Sequence, residues 1–458
     1  MHQQSFAEYM RVFDRCARAY IPADAGGWDA LYEALYSPLD PYRIPAGEAQ
    51  ALQFGCLSQV FSHHYAHSEF YRTFCQERGV SPRDIKGSDD LELIPLIPDA
   101  FFKDYPEGRE FALWLGHVHT GKLPRVVIRG QSPTFDEVLG AFNSAGMCVS
   151  YSSGTGGRHT FIPRDRRTFM ASEYALAKSA LAMAYPSWDP SVDGYLLLPN
   201  PRKTYLYAGR VSTIYFDLMS DVQLAIDREI TTDLLRLAMF QQAGLKGRMV
   251  GLVKRRQSHR MMHRITDWLD RHQRSGEHFF MTGAPFILSE VMRSLKEQGR
   301  SLDLNGQGTI VTGGGWKTNE DVRVPSAEFR GRVAEVLGIP PERCLDIYGM
   351  VESNGWMVQC PEGHYLHAPY SYFKPLVLGD DLKPVGYGEW GRYAFLDGAA
   401  LSYPGFIITG DMVRMLEHCP VCDRPGPVLE AEIKRASGQD IRGCADEVRR
   451  MMAVDMGG

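Results

Sequence analysis

No apolar run in this chain of 458 residues reaches the roughly 18 that a membrane-spanning helix needs. The sequence therefore predicts no membrane span. There is no internal repeat and no low-complexity tract, so solenoids and fibrous folds are excluded. Charge of one sign is not in large surplus. A formal net charge of −5 gives no electrostatic reason to expect nucleic acid or an anionic membrane surface as partner. The first twenty residues lack the apolar block of a secretory signal. Phe6, Tyr9, Met10, Phe13, Ala17 and Tyr20 instead recur at helical spacing, which predicts an amphipathic docking helix, and the expected compartment is the cytoplasm. A disulfide framework is not expected either. Nine cysteines are an odd number, and Cys16, Cys56, Cys75, Cys148 and Cys344 read as scattered, buried small residues.

What is present is a globular composition of a length suited to two or three lobes. Residues 1–145 read as a mostly helical region with long loops. Within it, Leu93 to Pro98 carries two prolines and should be extended. From 146 to 355, short apolar runs alternate with amphipathic stretches. Tyr195–Leu198, Phe279–Thr282 and Thr309–Thr312 read as buried strands, while Thr232–Gln242 and Phe329–Leu337 read as helices, the latter capped by Ser326 and stopped at Gly338. That alternation predicts an α/β fold with a largely parallel sheet. Residues 356–432 are richer in Gly, Pro and Tyr and read as a β-rich subdomain, followed by a tail over 433–458. The basic segment 254–274 reads as a solvated helix face, because Met261, Met262, Ile265, Trp268 and Leu269 give it an apolar stripe.

Four segments could carry chemistry. Ser152-Ser153-Gly154-Thr155-Gly156 combines hydroxyls with glycines that admit a polyphosphate to the backbone, and Arg158 adds charge; it is not a Walker loop, because no Gly-Lys-Ser/Thr follows. Gly313-Gly314-Gly315-Trp316-Lys317 follows a buried strand, where open parallel sheets bind ligands. Tyr348-Gly349-Met350-Val351-Glu352 sets a carboxylate, a possible Mg²⁺ ligand, near an aromatic ring that could stack on a base. Thr409-Gly410-Asp411 ends an apolar run with an acceptor suited to ribose hydroxyls. Each segment alone has a plainer reading as a turn or a surface loop.

Together and in this order they resemble the adenylate-forming superfamily of acyl-CoA synthetases, luciferases and peptide-synthetase adenylation domains. Ser152 to Gly157 match its phosphate loop, Tyr348 to Glu352 its Tyr-Gly-x-Thr-Glu motif, Thr409 to Asp411 its Thr-Gly-Asp motif, and Gly386 to Gly391 the intervening Gly-Glu segment. The resemblance implies ATP as substrate, Glu352 as the Mg²⁺ ligand and Asp411 as the ribose acceptor. Val351 departs from it, standing where the superfamily has threonine. The sequence ends 47 residues after Asp411, so the mobile C-terminal domain and its lysine are expected to be absent or vestigial. Lys103, Lys317 and Lys434 are the candidate replacements for that lysine.

A closer resemblance, from about residue 90 onward, is to the acyl-protein synthetases of bacterial bioluminescence, the adenylating subunits of fatty-acid reductase complexes. Pro98 to Lys103, Gly313 to Lys317 and Ile441-Arg442-Gly443-Cys444 carry it. It implies that a carboxylic acid, expected to be fatty, becomes an acyl-adenylate. Cys444 would then take the acyl group as a thioester and hand it to a reductase partner. Arg442 would favour the Cys444 thiolate. Two alternatives stay open, an acyl- or aryl-CoA synthetase related to phenylacetate-CoA ligase and an inactive partner-binding subunit.

Cys419-Pro-Val-Cys422 and Cys360-Pro-Glu-Gly-His364 add a separate expectation of a closed structural Zn²⁺ site. His364 is the first choice of fourth ligand and His367 the second, with His418 also near.

Overall fold

The N-terminal stretch folds as its apolar spacing predicts. Phe6–Cys16 is helical, and Ser5 caps it by accepting from the Glu8 amide at 3.3 Å. Tyr9 and Phe13 are buried against Trp188 and Tyr174, with ring centroids 5.6 and 5.3 Å apart. Burying side chains of this size contributes about 1.5–3 kcal/mol each. The computed structural model describes residues 4–154, 158–239, 245–316 and 323–435, with backbone alone for the described part of 236–257.

Among the described residues the strands in chain order are β1 (Ile97–Pro98), β2 (Cys148–Tyr151), β3 (Phe161–Arg164), β4 (Asp193–Pro199), β5 (Val222–Ile226), β6 (Phe279–Gly283), β7 (Gly308–Gly313) and β8 (Cys344–Tyr348). They continue as β9 (Met357–Gln359), β10 (Leu366–His367), β11 (Phe373–Leu378), β12 (Trp390–Asp397), β13 (Phe406–Leu416), β14 (Val428–Leu429) and β15 (Lys434–Arg435). β5, β4, β6, β7 and β8 lie side by side and parallel. The same sheet then runs antiparallel through β9, β10, β14, β13, β12 and β11. It crosses residue 355 without a break, so the β-rich stretch extends the parallel sheet. β2 and β3 form a separate hairpin.

Both faces of the parallel block are covered, which is why its strands read as unbroken apolar runs. Successive side chains alternate between two cores. Phe280, Val311 and Leu345 face the buried helix Arg166–Met183 and the N-terminal helices. Phe279, Met281 and Ile310 face Ile265, Trp268 and Leu269 of helix Leu245–Ser275 and Leu288 and Val333 of helices Pro285–Glu297 and Ser326–Leu337. The stripe in the basic segment is thus core, as read. Two boundaries differ from expectation. Ser326 is the first residue of its helix rather than its cap, and its hydroxyl accepts from Arg330 at 2.6 Å. The helix expected to reach Gln242 is described over Thr232–Met239. Among the described residues no helix is long and apolar enough to cross a membrane.

Register brings the strand ends level. Gly283 pairs with Leu197 and Thr312, and Gly313 pairs with Ile347. At Gly283 φ is +133°, and a Cβ would stand 2.7 Å from the Leu197 carbonyl oxygen, so only glycine fits this crossing.

Candidate active site

The segment Pro98 to Lys103 reaches the site through two residues of parallel pairing. Ile97 and Pro98 lie beside Ile407 and Ile408, a register that sets Asp99 next to Thr409 and Gly410. The prolines at 95 and 98 keep this stretch extended. A short helical turn over Asp99–Lys103 follows, anchored by the buried Phe101 and Phe102. It places the Lys103 ammonium against the Asp99 carboxylate, four residues back. Glu352 lies close enough to act on the same ammonium. Burial pulls the Lys103 pKa down, but Asp99 and Glu352 outweigh it and hold the group above its ordinary value.

Glu352 is buried, and burial raises its carboxyl pKa; Lys103 and the Thr160 hydroxyl draw it back while Asp99 pushes it up. The turn that carries it is held from beneath by Arg164. This guanidinium, fully inside the protein, donates to Asn354 Oδ1 at 2.7 Å, to the Val351 and Ser353 carbonyls and to the Tyr403 hydroxyl. Tyr403 donates to the Glu352 carbonyl at 2.9 Å. Asp397 takes the Asn354 amide at 2.6 Å, and burial lifts its pKa to about 6. A buried charge is tolerated when hydrogen bonds replace its hydration, as they do here at Arg164 Nε and Nη2 and at the Asp397 carboxylate. Val351, lacking the expected hydroxyl, is itself buried.

Asp411 is the third carboxylate. Its backbone amide donates to Thr409 Oγ1 at 3.1 Å. Its two oxygens are already engaged, Oδ2 by the Tyr348 hydroxyl at 2.7 Å and Oδ1 by Arg435 at 2.9 Å. Burial raises its pKa, and Arg435 and Tyr348 lower it. β15 delivers Arg435 by pairing it directly opposite Asp411. The neighbouring Lys434 points the other way, its ammonium 4.2 Å from the centre of the Trp390 ring. Of the three candidate lysines, Lys103 is therefore the one described within the carboxylate cluster.

The candidate phosphate-loop residues Ser152, Ser153 and Gly154 follow β2. Ser152 closes the hairpin neck, its amide donating to the Thr160 carbonyl at 3.0 Å and its hydroxyl accepting from the Thr160 amide at 2.9 Å. Gly154 has φ of +73°, and a Cβ there would meet the His159 ring at 2.8 Å. Arg158 pairs with Asp104 at 2.9 Å, which ties the loop to the Lys103 turn. Gly314 and Gly315 turn sharply after β7, with φ of +80° and +64°. Trp316 is buried edge-on to Phe329. Gly349 leaves room for the Trp356 ring, which a Cβ would strike at 2.5 Å. Thr155, Gly156, Lys317 and Cys444 lie outside the described residues.

The metal cluster corrects one expectation. The donor atoms of Cys360, His367, Cys419 and Cys422 all lie within 4.8 Å of one another, and His364 is not among them. His364 sits at φ +61° in the turn after Cys360. β10 pairs His367 with Val358 and Val428, and its Nε2 comes 3.4 Å from Cys422 Sγ. His418 is exposed beside Glu417.

Sequence reasoning gave no role to Asp99, Arg164, Asn354, Asp397, Tyr403 or Arg435. Arg164 and Asp397 carried a signal, being charged residues that end otherwise apolar runs, Phe161-Ile-Pro and Tyr393-Ala-Phe-Leu. Arg435 carried none.

A family model described as acyl-protein synthetase, LuxE, matches residues 259–453. A Vibrio harveyi protein named long-chain-fatty-acid–luciferin-component ligase is 25% identical over 407 residues, covering 88% of this chain and 89% of its own. Over these lengths the chain is similar to the acyl-protein synthetases. A protein of the same name from Aliivibrio fischeri is 23% identical over 402 residues, 87% of this chain and 88% of its own. Among solved structures, an open conformation of 2-hydroxyisobutyryl-CoA ligase with its adenylate and CoA matches with a TM-score of 0.57 at 16% identity, over 88% of this chain and 73% of that one. The same ligase in a postadenylation state matches with a TM-score of 0.58, over 87% and 70%. The acyl-protein synthetase resemblance and the adenylate-forming α/β fold read from the sequence are both borne out.

Removing the Lys103 ammonium should expose how far the cluster relies on it. Lys103→Met should cost about 1–2 kcal/mol, a figure kept low because the ammonium is half-exposed. Asp99→Asn in the same chain should recover part of the loss. Urea unfolding of the four-member mutant cycle measures the coupling, and losses that simply add would mean the two groups do not hold each other.

Proposed function

We propose that this chain is an ATP-dependent, AMP-forming ligase that activates a long-chain fatty acid and carries it as a thioester on Cys444. The observation that carries the reading is the meeting of Lys103, Glu352 and Asp411 beside the phosphate-loop hairpin. Three buried or half-buried carboxylates, Asp99, Glu352 and Asp411, face two cations, Lys103 and Arg435. That surplus of negative charge, with a Glu352 carboxyl raised by burial, suits a Mg²⁺ held by Glu352. The ion would neutralise phosphate oxygens and polarise phosphorus toward attack. The curated relatives are named for a long-chain fatty acid, and this supports the same substrate class here.

In the first step the fatty carboxylate attacks the α-phosphorus of ATP and pyrophosphate leaves. Lys103 offers its charge to the phosphate as negative charge builds there. Asp411, freed from Tyr348 and Arg435, accepts the ribose hydroxyls. Ser152, Ser153, Gly154, Thr155 and Gly156 line the polyphosphate, and Gly314 and Gly315 leave a bare backbone for the base, with Tyr348 and Gly349 on its other side. Lys317 is the alternative source of charge. In the second step the Cys444 thiolate attacks the acyl carbonyl, AMP leaves, and the thioester passes to an acyl-reductase partner.

Cys360, His367, Cys419 and Cys422 are proposed to hold a structural Zn²⁺. Zn–S and Zn–N bonds of about 2.3 and 2.0 Å at a tetrahedral angle put sulfur and nitrogen about 3.5 Å apart, close to the 3.4 Å between Cys422 Sγ and His367 Nε2. Four protein donors leave no open position, so the ion would brace the chain just beyond β13, which carries Asp411.

Incubation with MgATP and a panel of fatty acids should give an acyl adduct by intact-protein mass spectrometry. It should map to Cys444, be released by hydroxylamine, and vanish in Cys444→Ser while acyl-adenylate formation, read as pyrophosphate exchange, persists. AMP without an adduct would move the acceptor to a soluble thiol, and no AMP with any acid would end the ligase reading. Metal analysis of the purified chain should find one tightly held zinc that Cys422→Ser lacks, with a lower thermal midpoint; equal zinc in both would remove the structural site.

A further inference from the structure

We propose a second divalent-metal site at the opposite end of the sheet, formed by Asp193, His272 and Glu277. β4 begins at Asp193, His272 lies in the last turn of helix Leu245–Ser275, and Glu277 lies two residues before β6. These are the amino ends of the parallel strands, whereas Gly313 and Tyr348 mark the carboxyl ends. One donor atom from each residue falls within 4.8 Å of the others.

His272 shows why a cation belongs there. Its side chain is only 4% exposed. Its Nδ1 is 3.0 Å from the Trp268 carbonyl oxygen, which can only accept, so Nδ1 carries the hydrogen. In the neutral ring Nε2 then holds a lone pair, and among the described residues this buried atom has no hydrogen-bond partner. What it faces is Asp193 Oδ2 at 3.5 Å, another acceptor, with Glu277 completing the group. A buried lone pair facing a half-buried carboxylate is unfavourable until a positive charge, a bound cation or a proton on Nε2, sits between them.

The surroundings are those of an oriented ligand. The Trp268 carbonyl fixes the ring tautomer, as a backbone carbonyl does behind many metal-bound histidines. The ring is packed 4.0 Å from Trp268 and 5.2 Å from Phe279, centroid to centroid. Ser220 donates to Asp193 Oδ1 at 2.6 Å, which leaves Oδ2 for the ion. One imidazole nitrogen and two carboxylate oxygens suit a borderline divalent ion of the Zn²⁺ type. Glu277 is exposed, so the ion loads from solvent and keeps a position for water. Its effect is to tie the end of a long helix to the first residues of β4 and β6. No residue of this site belongs to the ligase site or to the cysteine cluster.

The test uses the full chain, equilibrium dialysis against Zn²⁺ at low micromolar free concentration, and metal analysis. Asp193→Asn combined with Glu277→Gln should bind one Zn²⁺ fewer than wild type and lose a zinc-dependent rise in thermal midpoint. Glu277→Gln alone, a change on an exposed side chain, should weaken that ion by roughly tenfold or more. Both variants keep the cysteine cluster, so the difference reads this site whatever the cluster holds. Equal stoichiometry and equal affinity in wild type and Glu277→Gln would overturn the proposal.

Discussion

Three carboxylates brought together inside a protein repel one another and lose their hydration, and the rest of this site is arranged around that fact. Asp99, Glu352 and Asp411 come from three distant parts of the chain. Lys103 and Arg435 offset part of the charge, and each arrives by a backbone device rather than by chance of side-chain reach. Lys103 depends on the two-residue pairing of β1 with β13, and Arg435 on its register opposite Asp411 in β15. Loosening either pairing would leave carboxylates buried without a cation.

The scaffold beneath is correspondingly stiff. Arg164 grips the Met350–Gly355 turn through carbonyls and Asn354, so Glu352 is held by its backbone while its side chain stays available. The sheet carries this outward. β8 ends at Tyr348, which reaches Asp411 on β13, and β13 lies between β12 and β14 in the same sheet. β14 pairs with β10, where His367 sits among three cysteines. The cysteine cluster and the ribose-binding candidate are therefore two ends of one short run of sheet.

Much of this was legible in the sequence because it depended on local pattern. The buried strands at 195, 279 and 309, the helix stopped by Gly338, and the ordered Ser/Gly/Thr, Tyr-Gly and Thr-Gly-Asp segments all declare themselves within a few residues. What was not legible depended on long-range register. Spacing from Cys360 admits both His364 and His367, and only the left-handed turn at His364 and the strand pairing at His367 decide between them. Lys434 and Arg435 are adjacent cations, and the alternation of β15 alone sends one to Trp390 and the other to Asp411. The supposed subdomain boundary at 355 was a change in composition that the sheet ignores, because antiparallel strands can continue a parallel edge. Arg164 and Asp397 meet only after folding, from positions 233 residues apart in the sequence.

The account stands or falls on whether this carboxylate cluster supports adenylation. The direct measurement is acid-dependent exchange of labelled pyrophosphate into ATP, with wild type and Glu352→Gln compared at equal concentration. Exchange with a long-chain fatty acid in wild type, reduced about a hundredfold or more in Glu352→Gln with unchanged thermal stability, is the result expected. Exchange that is equally fast in the variant, or absent from wild type with every acid, would contradict it.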